Sequence, residues 1–384
     1  MRRLDVPPRA AWQEKCEEVG FTWHSVGGRY WDESAAYVFT PKEVDLLETA
    51  TNELTQMCFK AVDYVIERRR YADLRIPELF VDKVAQTWHE NAPTLYGRFD
   101  LAYDGQHPPK LLEFNADTPT SLLEASVVQW RWLQECHREQ DQFNGIHEAL
   151  LDQMRYLKQK RGVQPLYFGC AKESDEDAGT VKYLMDVALQ AGIDARFIYM
   201  DEIGWDHEWN QFADADDQTI LYLFKLYPWE WLVREEFGPH LLAPKAPLVI
   251  EPAWKMVLSN KGILAILWEM FPDHAFLLPT FFAASAALTA TGFVQKPLLS
   301  REGDNVTLHR GGEVTDQNEG PYGAEGFVYQ QYVELPNMAA AGSAPRYPVI
   351  GSWVVGEDAA GIGIRESENR ITTDGAQFVP HFIE

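Results

Sequence analysis

One stretch, residues 98–122, constrains this chain more than any other. It reads RFDLAYDGQHPPKLLEFNADTPTSL. Two alternating runs flank the turn formers Asp104-Gly105 and Pro108-Pro109, which is the pattern of a β-hairpin. Side chains alternate across a strand, so Arg98 and Asp100 share one face while Phe99 and Leu101 take the other. With the turn centred between Gln106 and His107, Asp100 lies opposite Glu113 and Arg98 opposite Asn115. The polar face then carries Arg98, Asp100, Glu113 and Asn115, and the reverse carries Phe99, Leu101, Leu112 and Phe114. Two readings of the polar face stand side by side. It is either a solvated, ion-paired surface or a metal–phosphate site. In the second, Asp100, Glu113 and Asn115 supply the oxygen ligands that Mg²⁺ takes, and Arg98 holds a phosphate oxygen. Beyond the hairpin, Thr118 reads as an N-cap with Pro119 at the first helical position. The helix is expected to run to about Gln140 and to turn its N–H groups toward an anion.

A net charge of −24 argues against nucleic acid and anionic membrane as partners and suits a cationic co-substrate. A hydrophobic content of 46% gives ample core for 384 residues. Cys16, Cys58, Cys136 and Cys170 lack metal-type spacing and read as buried thiols of a cytoplasmic protein. The N-terminus has no apolar run of a secretory signal, and the apolar tract 275–293, broken by Pro279, reads as core.

Along the chain, Thr40-Pro41-Lys42-Glu43 is a capping box. The helix behind it buries Leu47, Leu54, Met57, Ala61 and Val65 and stops near Arg68-Arg69-Arg70, whose charges complement its dipole. A second helix, capped by Asp82, runs to about Trp88. From Pro165 the pattern becomes strand–helix–strand, with strands at 166–170 and 195–200, an acidic loop at 172–177 and a helix from Thr180 to Gln190. This is a small α/β subdomain. Asp175, Glu176 and Asp177 lie where such sheets bind ligands; they are either a solvated charge run or a seat for a cationic amine. Further strands are expected at 221–226, 293–297 and 326–333, with a hairpin at 349–355 and 360–366. Lys296, on a strand ahead of the loop 298–306, can reach a triphosphate that the loop closes over. Neither a Walker A motif nor GxGxxG is present.

Five blocks occur in order: RFD, EFNADTPTSL, SNK, KP…REG and GIRE. Together they resemble the glutathionylspermidine synthase family, carboxylate–amine ligases of ATP-grasp type, and most of all its stand-alone synthetase-like members. The likeness runs from about Trp23 to Phe382. It implies an α/β (α+β) ATP-grasp fold over residues 1–384. Approximate lobes are 1–160 with the metal and substrate hairpin, an inserted α/β subdomain at 165–250, and a nucleotide-binding lobe at 251–384. It implies ATP and Mg²⁺ as cofactors, a small peptide-like acid and an amine such as a polyamine as substrates, and no amidase activity. By resemblance, Arg98, Phe99 and Asp100 meet the nucleotide, and Lys261 and Lys296 its phosphates. Glu302 and Gly303 belong to the ATP-covering loop, and Gln330, Gln331, Tyr332 and Val333 to an adenine-binding hinge. Arg365 swings onto the transferred phosphate with Arg370, Ile371 and Thr372 close by, and Asp117 and Ser121 orient the acid. An ATP-grasp phosphotransferase and a non-catalytic nucleotide-binding protein are the alternatives.

Overall fold

The computed structural model describes residues 1–373 and 375–384, without the side chain of Ala287. Its organising layer is an antiparallel sheet in the order Gln377–Val379, Asp358–Ser367, Tyr347–Val355, Tyr96–Ala102, Lys110–Asn115. The last two strands are the expected hairpin. Arg98 faces Asn115 and Asp100 faces Glu113, as alternation predicts. A bulge after Asp100 then shifts the register, so Leu101 pairs with Leu111. Leu111, not Leu112, therefore enters the core beside the stacked rings of Phe99 and Phe114, 3.9 Å apart. Leu112 packs instead with Ala102, Leu335, Tyr347 and Val349.

The reverse of this sheet is covered by the helix Pro41–Glu67, started by the Thr40/Glu43 capping box. Its buried positions include Leu47, Leu54, Met57, Ala61 and Val65, and Thr51 meets Ser352 of the sheet at 2.6 Å. The arginines lie past its end and leave no cation in its last turn; Arg70 pairs with Asp73 and Glu269 instead. The next helix is Val81–His89, with Phe80 in the capping position and Asp82 inside the first turn.

Residues 166–250 hold a parallel sheet in the order Leu248–Ile250, Tyr222–Leu226, Leu166–Cys170, Ala195–Tyr199. The helix between its first two strands in sequence begins at Asp175, not Thr180. The Ser174 side chain accepts from the Asp177 N–H at 3.0 Å and caps it. The three acids thus occupy a first helical turn, where the dipole favours them. A second antiparallel sheet contains Phe293–Pro297 between Phe327–Gln331 and Thr307–Arg310. The lobes are not separated by a cut near residue 250, because residues 347–379 complete the sheet that the 96–115 hairpin begins.

No described helix is long and apolar enough to cross a membrane. The tract 275–293 is core at Phe276, Leu277 and Leu278, but Phe281 and Phe282 are exposed. Three cysteines are buried and Cys136 is exposed.

Candidate active site

The polar face of the hairpin floors a cleft with an empty volume of about 1540 Å³, part of it open to solvent. Arg98 lies flat along the sheet. Its Nε and Nη2 donate to Asp100 Oδ1 and Oδ2 at 2.7 and 3.2 Å, and its Nη1 donates to the Thr120 carbonyl at 2.6 Å. Gly351 on the neighbouring strand makes this posture possible, since a Cβ there would stand 2.8 Å from Arg98 Cδ. Arg365 Nη2 reaches Asp100 Oδ2 at 3.1 Å from the far side. Two arginines thus converge on one carboxylate.

Glu113 continues the row. Its Oε2 lies 3.1 Å from Lys261 Nζ. Burial alone would raise its pKa, but Lys261 and Lys296, then Arg365, hold it well below the usual carboxylate range. Lys296 comes from the strand Phe293–Pro297 and donates to the Leu112 carbonyl at 2.8 Å and Gln330 Oε1 at 2.7 Å. Burial pulls its ammonium down to about 8, with Glu113 opposing and Lys261 reinforcing the shift. Lys261 is presented by a tight loop. Asn260 ties that loop to the Leu74 carbonyl at 2.7 Å and accepts from Gly262 N–H at 2.8 Å.

Among the described residues no group of three or more His, Cys, Asp or Glu converges as a metal cluster. The hairpin nevertheless has the donor chemistry of a hard cation. Asp100 Oδ2 and Glu113 Oε1 both lie 3.3 Å from Asn115 Nδ2, so two carboxylate oxygens face one point. The two ends of an amide are assigned from such contacts; turned over, Asn115 would add a third oxygen at that point. An all-oxygen set of this kind fits Mg²⁺.

The loop after Lys296 folds over the cleft. Glu302 and Gly303 take φ of 53° and 75°, and a Cβ on Gly303 would lie 2.7 Å from the Thr372 carbonyl. This seats the loop on Ile371 and Thr372, which line the cleft with Arg370. Arg370 pairs with Glu334 at 3.5 Å. At the hinge, the Gln331 N–H is taken by the Pro279 carbonyl at 2.7 Å and the Tyr332 N–H by the Gly292 carbonyl at 3.0 Å. The Gln330 side chain spans Lys296 and the Leu111 carbonyl. Among the described residues the Val333 N–H has no partner, so of the four expected hinge residues this is the donor left for a ligand edge.

Several expected residues stand elsewhere. Phe99 faces the core on Phe114 and does not line the cleft. Asp117 lines it, but its carboxylate is consumed by Lys225 Nζ at 2.6 Å and the Trp229 N–H at 2.9 Å. Ser121 has φ of 68°, and its Oγ meets the Tyr30 hydroxyl at 2.9 Å outside the cleft wall. Asp175 is exposed, whereas Glu176 is half-buried and faces Glu124, Asp177, Glu302 and Arg365. The helix expected from Pro119 starts only at Leu122 and ends at Cys136. The reason is that two backbone carbonyls in the segment hold arginines: Arg98 at Thr120, and Arg301 at Thr118.

Sequence reasoning passed over Arg301, Lys225, Glu124 and Tyr30. Arg301 stands inside the REG block and binds Thr118 Oγ1 and Glu230. It was as visible as Glu302. Lys225 sits in an apolar strand, where a lone lysine signals a buried counter-ion.

Residues 3–384 match the family model described as Glutathionylspermidine synthase preATP-grasp. The chain belongs to the glutathionylspermidine synthase family. A family relative from Haemophilus influenzae, named "Putative acid--amine ligase", is 40% identical over the full length of both chains. The trypanothione synthetase of Crithidia fasciculata is 28% identical over 78% of this chain and 48% of its own. The bifunctional glutathionylspermidine synthetase/amidase of Escherichia coli is 27% identical over 90% of this chain, which spans 59% of that protein. Among solved structures, a glutathione synthetase-like effector from Globodera pallida superposes with a TM-score of 0.57, covering 99% of this chain and 100% of the other at 12% identity. The fold is of ATP-grasp type, as the resemblance implied.

Proposed function

We propose that this protein joins the carboxylate of a small peptide-like acid to an amine, with ATP converting the acid to an acyl phosphate. One observation carries the reading. Lys261, in an ion pair with Glu113, and Lys296, from a separate element and near enough to act on Glu113 through its charge, stand on the same face that gathers Arg98, Asp100 and Arg365. Such convergence of cations and carboxylates suits a triphosphate and its charge-neutralising metal.

The roles follow from position. Lys261 and Lys296 hold the phosphates, with the 301–306 loop and Gly303 above them. The Val333 N–H meets the base, beside Arg370, Ile371 and Thr372. Asp100, Glu113 and Asn115 would hold Mg²⁺, which would supply charge neutralisation for the phosphates. Arg98 and Arg365 face the transferred group and stabilise the charge that develops there. Phe99 acts through the core, fixing the strand that carries its two neighbours. Asp117 fixes the 116–121 segment through Lys225, and Ser121 orients the acid through Tyr30. The amine approaches from the side of the half-buried Glu176, which faces Arg365; the exposed Asp175 attracts the rest of a polycation.

The test is phosphate release from ATP and Mg²⁺ against a matrix of small peptides and polyamines, with mass spectrometry of the products. An acid- and amine-dependent amide is expected. Glu113→Ala should lower turnover on the order of 100-fold or more. Full turnover in that variant would refute the site.

A further inference from the structure

We propose that Glu176 accepts the proton shed by the attacking amine, and that the buried Glu124 carboxylate beside it tunes it for that step. This rests on the ligase reading and adds to it a residue, Glu124, that lines no part of the cleft.

Glu124 opens a π-helical segment, Glu124–Val128, three residues after the left-handed Ser121. Single π turns are rare and frequent at functional positions. The Glu124 side chain is completely buried. Its Oε1 accepts from Trp23 Nε1 at 2.9 Å, and its Oε2 has no partner at ordinary hydrogen-bond distance, although the Tyr30 hydroxyl lies near enough to favour its charge. A buried acid oxygen left unsatisfied is costly, and packing alone would be better served by an apolar side chain. The second carboxyl is brought up by shape. The helix Asp175–Gln190 lies flat on the same indole: a Cβ on Gly179 would stand 2.1 Å from Trp23 Cζ3, so only glycine fits. Glu176 lies one turn earlier on that helix, near enough to feel the charge of Glu124.

The groups facing the pair are Tyr30, Arg98 and Cys16 on the Glu124 side, and Asp177, Glu302 and Arg365 on the Glu176 side. Burial raises Glu124 above the ordinary range, with Trp23, Tyr30 and Arg98 opposing. Burial pushes Glu176 up to about 8; Glu124, Asp177 and Glu302 add to the shift and Arg365 opposes it. An acid in that range is matched to proton transfer at neutral pH.

The chemistry balances. An aliphatic amine arrives as an ammonium ion without a lone pair. One N–H proton passes to the carboxylate of Glu176. The freed lone pair forms the C–N bond at the acyl carbon, and the C–O bond to phosphate breaks with its electrons leaving on phosphate. The second N–H proton departs with that phosphate.

Hydroxylamine separates this step from the one before it, because it is already neutral at neutral pH and traps an acyl phosphate as hydroxamate without a base. The unaltered protein, Glu124→Gln, Glu124→Asp and Glu176→Gln are compared across pH, with either a polyamine or hydroxylamine as acceptor. In Glu124→Gln the amide-to-hydroxamate ratio is expected to fall on the order of 10- to 100-fold. The acidic limb of amide formation moves down by roughly one pH unit, since Glu176 loses a like-charged neighbour. Glu124→Asp restores most of the ratio. An unchanged ratio and limb in Glu124→Gln, with hydroxamate still formed, overturns the assignment and leaves the ligase standing. Absence of hydroxamate from the unaltered protein with every acid overturns both. Should Glu124→Gln not fold, Glu176→Gln decides: loss of amide with hydroxamate still formed supports the assignment, and amide formation at the unaltered rate refutes it.

Discussion

Replacing Lys225 by methionine tests how the α/β subdomain holds the cleft. Lys225 Nζ sits 2.6 Å from Asp117 Oδ1 and donates to the Tyr227 carbonyl at 2.9 Å, and the two charged side chains are 0% and 3% exposed. Burial lowers the lysine's pKa and Asp117 opposes that shift, so the pair survives by mutual compensation. Methionine fills the volume but leaves Asp117 buried with only the Trp229 N–H as partner. Removing one partner of a buried pair costs about 3–5 kcal/mol. Even about 3 kcal/mol is more than a hundredfold in the folded-to-unfolded ratio. The double variant Lys225→Met/Asp117→Asn removes the stranded charge while keeping an acceptor for Trp229, and should recover about half of the loss or more. Denaturant titration measures both, with the slope checked for constancy. A single-variant cost below about 1 kcal/mol would refute the argument, because solvent would then be compensating Asp117. A double variant no better than the single would place the cost in packing instead of charge. Turnover of the folded single variant should also drop, because the anchored segment carries the Thr120 carbonyl that receives Arg98.

Other consequences are quicker to check. Glu176 has a raised folded pKa, so the native state binds more protons than the unfolded chain between the ordinary value of 4.5 and about 8, and stability falls as pH rises through that window. Glu176→Gln should flatten this slope and raise stability at neutral pH by roughly 1–3 kcal/mol while abolishing amide formation; thermal melts at several pH values test it. Gly303→Ala places a methyl 2.7 Å from the Thr372 carbonyl at φ of 75°, and should weaken ATP affinity severalfold with the global fold retained, as calorimetry of ATP binding would read. Gly351→Ala pushes on Arg98 Cδ from 2.8 Å and should lower kcat about tenfold or more with little change in ATP affinity; steady-state kinetics would separate the two.

The hairpin was legible because alternation fixes which residues share a face, and one face was wholly polar. The bulge after Asp100 was not, since one extra residue in a strand leaves no mark in composition. The same limit explains Leu112. The helix N-terminus was misplaced at Pro119 because a capping signal describes only local preference. Arg98 and Arg301, 22 and 183 residues away from the carbonyls they bind, hold that segment extended. The opposite error occurred at Ser174, where an available cap was hidden within a run of charges. The lobe boundary failed for a topological reason: strand pairing between residues 98 and 353 has no local signature. The cluster on Trp23 was illegible because an acid inside an apolar helix stands out only when its neighbours in space are known.

The central sheet also dictates an order of events in the cell. The hairpin leaves the ribosome well over two hundred residues ahead of its neighbour Tyr347–Val355. Until that strand arrives, the hydrogen-bonding edge of Tyr96–Ala102 is open and Arg365 has not yet reached Asp100. Nascent chains must therefore hold an unpaired ribbon edge while the intervening residues are made, a state prone to self-association. Nucleotide cannot rescue them, because the pocket that would bind it does not yet exist.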